Sequence, residues 1–278
     1  MRFKASLILA VAMAACSLSV ADAAGPAFTP VRCTLLLDAA SGQPILREGR
    51  CGERVTPAST FKIAISLMGY DSGVLTDEHS PTLPFKPGYV DWRPAWREPT
   101  DPARWMRESV VWYSQQVVHR LDAARYQDYV NRFGYGNRDV SDARHRAELK
   151  DSGLNLAWIN SSLQISADEQ AVFLRKLVRR ELGVSAKAYD MTARILEQPP
   201  LPNGWTLHGK TGSGSPLLPN GESDGAHAYG WYVGWASKGS RTVVFVQLIQ
   251  DEKDTPGPTG YRARDALLSA LPARLDGL

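Results

Sequence analysis

Apolar positions along the chain fall into two textures, short strand-like runs at the ends and helical stretches between them. Residues 31–38 (VRCTLLLD) read as a strand, Ala40-Ser41-Gly42-Gln43 as a turn, and residues 44–48 as a returning strand, which makes a β-hairpin. Thr56-Pro57-Ala58 then opens a helix that runs to Asp71-Ser72-Gly73. Proline is tolerated in a first helical turn, because its missing N–H would be unpaired there. This helix is apolar on nearly every side, the pattern of a central helix.

Residues 77–103 are rich in proline and tryptophan and read as an ordered irregular segment. Residues 104–118 and 122–133 read as helices, the second broken by Gly134-Tyr135-Gly136-Asn137, and 138–160 as a long loop. Ser166 with Glu169 is a capping box that opens a helix to about residue 181, and 186–196 is another short helix. Residues 205–211, 228–237 and 241–250 are strand-like, and Lys238-Gly239-Ser240 is a tight turn that pairs the last two antiparallel. Residues 262–271 form a closing helix. The order predicts a mixed α/β fold: an antiparallel sheet flanked by helices plus a mostly helical insertion, with the N-terminal hairpin joining the C-terminal strands. The sheet part is expected at about 24–60 and 200–278, and the helical part at about 61–199.

The first residues stand outside this pattern. Arg2 and Lys4 give a basic start, Ala5 to Val20 is an apolar run, and Ala21-Asp22-Ala23 is a small-x-small cleavage site. Residues 1–23 therefore read as a secretory signal peptide, with residues 24–278 as the mature chain. The apolar run is short for a bilayer span, so no transmembrane segment is expected. Lipid attachment at Cys16 is the alternative, although Met13-Ala14-Ala15 before it is a poor lipoprotein signal.

Composition is that of a soluble globular chain, with 44% hydrophobic and 22% charged residues and no repeat or low-complexity stretch. Loss of Arg2, Lys4 and Asp22 with the leader lowers the net charge from +3 to +2, too little to favour nucleic acid. The mature chain keeps Cys33 and Cys51, and in an exported protein such a pair reads as a disulfide clamping the open end of the hairpin. Two buried thiols are the bland alternative. The five histidines lack a metal-ligand pattern, and His208 reads as a packing or surface residue.

Ser59 and Lys62 are three residues apart and share one helix face. A serine hydroxyl is a weak nucleophile that needs a base, and a lysine amine serves only when it is neutral or modified. Phe61, Ile63, Ala64 and Ile65 are apolar, and desolvation lowers a lysine pKa. Ser59 lies in the first turn, where free N–H groups favour negative charge. Far downstream, Lys210-Thr211-Gly212 follows a strand. There lysine attracts an anion, threonine donates to it, and glycine admits a ligand close to the backbone. Alone, each motif is weak: the first also describes a solvated lysine near a serine, the second an ordinary strand end.

Together, Ser59-x-x-Lys62 and Lys210-Thr211-Gly212 resemble the penicillin-recognising serine acyltransferases. Ser109-Val110-Val111 carries valine where most of that superfamily has asparagine, which is the class D β-lactamase (oxacillinase) form. Tyr135-Gly136-Asn137, Trp158 with its following segment, and Trp231-x-x-Gly234 match three more class D elements, in the family's order.

The resemblance implies a penicillin-binding or β-lactamase domain that hydrolyses β-lactams, small-molecule substrates, and so confers resistance from the periplasm. It implies Ser59 as nucleophile and Lys62, carboxylated by carbon dioxide, as general base for acylation and deacylation, with no other cofactor and no metal. Val111 would be a wall without a competing donor, Trp158 would give its indole N–H to the carbamate, and Ser109 would relay a proton to the leaving nitrogen. The N–H groups of Ser59 and Ser213 would form the oxyanion hole, and Lys210, Thr211 and Gly212 would meet the substrate carboxylate. A second cation is expected near the last helix, with Arg262 favoured over Arg264; the alternative for Arg262 is a solvated face. Tyr135 and Asn137 would fix a loop edge. Ser213 stands where many relatives carry a larger residue, and residues 214–228 form a long Gly/Pro-rich loop, so the substrate range is open. A monomer or weak dimer is expected. A receptor domain that is acylated without turnover would normally carry membrane helices and a signalling module, and a cell-wall peptidase would favour asparagine at Val111.

Overall fold

The computed structural model describes residues 28–142, 144 and 155–277. The expected leader, with Cys16, and residues 143 and 145–154 of the 138–160 loop lie outside the described residues. β1 (Cys33–Asp38) and β2 (Pro44–Gly49) form the hairpin. β3 (Glu197–Gln198), β4 (Thr206–Gly214), β5 (Tyr229–Lys238) and β6 (Arg241–Gln250) follow the helical middle of the chain. The six strands are ordered β2-β1-β6-β5-β4-β3, every pair antiparallel, so the hairpin does join the C-terminal strands through β1 and β6.

Side chains on a strand alternate faces, and both faces of this sheet are covered. Leu36, Tyr232 and Phe245 pack with Ala263, Leu267, Leu271 and Leu275 of the closing helix, α7 (Thr259–Asp276). Leu35, Trp231, Val233, Val244 and Val246 face the larger core, which holds the central helix α1 (Lys62–Ser72). From Lys62 to Tyr70 every residue of α1 is buried, as its all-round apolar pattern requires. Gly73, at φ 79°, ends it in the left-handed conformation that glycine adopts without strain.

The structure corrects the helical reading in three places. Ser59 lies in a 3₁₀ turn, Ala58–Phe61, that leads into α1 rather than in an α-helical first turn. The single helix expected at 104–118 is two, α2 (Pro102–Glu108) and α3 (Val111–Arg120), separated at Ser109 and Val110. The closing helix is longer at both ends than 262–271 and continues through Pro272. The others agree closely: α4 (Ala123–Phe133), α5 (Ala167–Val178) with its Ser166–Glu169 capping box, and α6 (Ala186–Leu196). Cys33 and Cys51 are joined as a disulfide.

Candidate active site

Three chain segments meet at the seam between the sheet and the helices. The 3₁₀ turn delivers Ser59, the α2–α3 break delivers Ser109, and the end of β4 delivers Thr211, Gly212 and Ser213. Together with Val111, these residues line a cavity of about 200 Å³. β3 pairs only with Leu207 and His208, so among the described residues the rest of β4 has a strand on one side only and turns its other edge to the cavity. A Cβ on Gly212 would stand 3.0 Å from the Pro57 carbonyl and 3.2 Å from the Ser59 nitrogen, so glycine lets β4 pass this close to the serine turn.

Two non-glycine residues here have a left-handed backbone, Ala58 at φ 49° and Ser109 at φ 59°. Such conformations cost about 1–3 kcal/mol and persist where surrounding contacts enforce them. Several contacts hold the serine turn. The Ala58 N–H donates to the Trp158 carbonyl at 3.0 Å, the Trp231 indole donates to the Thr56 carbonyl at 3.0 Å, and the hydroxyls of Thr56 and Tyr229 are hydrogen-bonded.

Lys62 Nζ donates to Ser59 Oγ at 3.2 Å, and the lysine is wholly buried. Burial holds its amine well below the usual lysine range, and the positive charges of Lys210 and Arg93 push it further down. Two more buried polar atoms in this region, Ser109 Oγ and Trp158 Nε1, have no hydrogen-bond partner among the described residues. Leaving a buried donor unpaired costs about 1–3 kcal/mol, so these atoms point to a polar group that the described residues do not supply. The Trp158 ring also packs 5.7 Å from Phe61, whose ring lies 5.0 Å from Tyr135.

Tyr135-Gly136-Asn137 secures the segment that carries Trp158. Asn137 Nδ2 donates to the Ser162 carbonyl at 2.7 Å, its Oδ1 accepts from the Gln164 N–H, and Gly136 passes directly beneath the Gln164 carbonyl. Gly234 lets β5 approach the carbonyl of His208 in the same way. His208 is stacked on Trp235 with ring centroids 4.7 Å apart, away from the cavity lining, and burial lowers its pKa.

Lys210 lines an adjoining cavity with Thr211, Tyr261 and Arg264. It is buried, its amine donates to the Thr211 carbonyl at 3.0 Å, and burial followed by the charge of Arg93 lowers its pKa to about 7. The structure separates the two arginines of the closing helix. Arg262 is ion-paired with Asp251 and donates to the carbonyls of Pro256 and Gly257, and it lines neither cavity. Arg264 pairs with Asp265. Sequence reasoning did not single out Trp92, Arg93, Trp96, Ile159 or Tyr261, all of which line the Ser59 cavity. Among the described residues no group of three or more His, Cys, Asp or Glu is placed to hold a metal ion.

Residues 32–272 match the penicillin binding protein transpeptidase domain. Over 260 residues the chain is 40% identical to the β-lactamase OXA-9 of Klebsiella pneumoniae, a match that covers 92% of each protein. It is 32% identical over 265 residues to the β-lactamase OXA-1 of Escherichia coli, covering 93% of this chain and 90% of that one. The crystal structure of the class D β-lactamase OXA-427 aligns with a TM-score of 0.81 at 48% identity, covering 88% of this chain and 99% of the other.

Proposed function

Since this chain belongs to the class D serine β-lactamases, we propose that it hydrolyses the amide of a β-lactam ring by acyl transfer to Ser59 and then to water, and so confers antibiotic resistance. The observation that carries the mechanism is the wholly buried Lys62 amine beside Ser59 Oγ, with the unpartnered donors Ser109 Oγ and Trp158 Nε1 in the same region. Only a neutral amine adds carbon dioxide, and a desolvated lysine is neutral at a lower pH than a solvated one. Carboxylated on Nζ, Lys62 would supply an anionic base for both half-reactions, with Trp158 Nε1 and Ser109 Oγ as the groups that hold it.

The other residues have separable tasks. Ser59 Oγ forms the bond to the ring carbonyl carbon, and the C–N bond breaks. Ser109 passes a proton to the departing nitrogen, and water later cleaves the ester. The N–H groups of Ser59 and Ser213 donate to the developing oxyanion. Val111 closes one side of the cavity without offering a competing donor. Lys210 and Thr211 hold the substrate carboxylate, and Gly212 admits it. We further read residues 1–23 as an export signal that places the mature domain in the periplasm; among the described residues no helix is long and apolar enough to cross a membrane.

Turnover of a chromogenic cephalosporin tests this reading. Added bicarbonate is expected to raise the steady-state rate. Acidic buffer free of carbon dioxide is expected to lower it, because protonation removes the reactive form of Lys62. Lys62→Ala is expected to form acyl-enzyme slowly and to release it more slowly still. Full deacylation by Lys62→Ala, together with indifference to bicarbonate, would refute the mechanism. A stoichiometric burst without turnover in the unsubstituted protein would refute the hydrolase reading.

A further inference from the structure

The substrate carboxylate needs more than one donor if Lys210 is held near neutrality, and the closing helix places no arginine in the lining of the Ser59 cavity. Every described contact of the Arg262 guanidinium is with Asp251, Thr259 or the carbonyls of residues 255–257. Arg264 pairs with Asp265, lies over Tyr261 at 5.0 Å and lines the adjoining cavity with Lys210, not the cavity that holds Ser59. Arg93 is placed differently. It lines that cavity with Ser59, Thr211 and Tyr261, and among the described residues no carboxylate pairs with it.

Arg93 is also braced. Its Nη1 donates to the Tyr261 hydroxyl at 3.2 Å, and its guanidinium lies 5.9 Å from the ring centroids of both Trp96 and Tyr261. Trp96 is buried and donates its indole N–H to the Glu108 carbonyl at 2.9 Å, one residue before Ser109. The loop that carries Arg93 is thereby fastened to the helix break on one side and to α7 on the other. The charge of Arg93 reaches both Lys62 and Lys210, whose amines burial already holds low; no acid lines the Ser59 cavity, while Glu78 and Glu197 line the adjoining one with Lys210. A guanidinium that keeps its charge in a cavity lined by no acid favours an incoming anion.

We propose that Arg93, steadied by Tyr261 and Trp96, is the second cation that binds the ring carboxylate of the substrate, in the role the resemblance gave to Arg262. This rests on the β-lactam reading of the site. A guanidinium offers two parallel N–H donors to a carboxylate, which a lysine cannot. It also gives the cavity that Thr211 lines a charged group while Arg262 is turned away.

The test compares a penicillin with its neutral methyl ester on the full-length mature enzyme. Arg93→Ala is expected to lower kcat/KM for the acid by about ten- to a hundredfold, mainly through KM, and to change that for the ester by less than about twofold. Arg93→Gln, which keeps most of the side-chain volume, is expected to show the same split, and Arg93→Lys to recover part of the loss. Equal losses on acid and ester would show a packing role only, and undiminished kcat/KM for the acid would show none; either overturns the proposal. If the unsubstituted enzyme turns over neither compound, both the β-lactam reading and this one fall, whereas turnover that is blind to Arg93 removes only the latter.

Discussion

At the scale of single residues, the site is built against stability. Lys62 exposes nothing, and its amine lies well below the lysine range because it is desolvated. The unfolded chain binds this proton below about pH 10.4, while the folded chain releases it down to a much lower pH. Between those limits the unfolded state holds more protons, so folding stability rises with pH across the window. Lys62→Met fills similar space without an amine. In buffer free of carbon dioxide at pH 7, it is expected to be more stable than the parent by about 1–2 kcal/mol in a denaturant titration. The gain should shrink towards pH 10, and turnover should be lost. A variant less stable than the parent throughout would mean that the amine contributes more to the fold than its desolvation takes away. The contact between Ser59 and Lys62 and the burial of the lysine were legible because the two are three residues apart in an apolar context. Arg93 was not: nothing near it in sequence distinguishes it among the 32 basic residues of the chain. Its role arises from Tyr261 and Trp96 reaching it across the fold. The expectation for Arg262 missed Asp251 for the same reason, since a partner eleven residues away carries no local signal.

At the scale of elements, the most informative departure is the break between α2 and α3. Flanking residues with helical patterning hide it, because one residue in the left-handed region leaves almost no trace in sequence. Its consequence is direct: without the break, Ser109 would continue a helix face instead of meeting the Ser59 cavity. The strain at φ 59° gives this element a test. For an L-residue that conformation costs about 1–2 kcal/mol, partly offset in the glycine variant by greater freedom of the unfolded chain. Ser109→Gly is expected to gain roughly 0.5–1 kcal/mol in stability and to lose about a hundredfold or more in acylation rate. Ser109→Ala should lose the rate without the stability gain. If both variants lost stability equally, the hydroxyl would be structural. The closing helix departs for a different reason. Pro272 reads as a stop signal, yet Leu275 beyond it is buried against the sheet, and tertiary packing carries the helix on. The capping box at Ser166 and the strand at 241–250 were read correctly because their signals are wholly local.

At the scale of the whole molecule, the two terminal parts of the described chain share one sheet, and Ser59 stands where the first of them leaves it. β1 lies between β2 and β6, and the disulfide from Cys33 to Cys51 ties the start of β1 to the segment that runs on to Ser59. Two effects of that bond can be separated. It shortens the unfolded chain's reach across 18 residues, which stabilises by about 3 kcal/mol in the chain-entropy account. It does not by itself position Ser59. Pairing of Val55 with Ile165, the Trp231–Thr56 bond and the Ala58–Trp158 bond do that independently. The double variant Cys33→Ser/Cys51→Ser is therefore expected to melt about 6–12 °C lower by scanning calorimetry, with kcat at 25 °C within about twofold of the parent. A large fall in kcat at 25 °C would mean that the hairpin clamp is part of the active-site scaffold. An unchanged melting temperature would mean that the strands alone hold the hairpin closed.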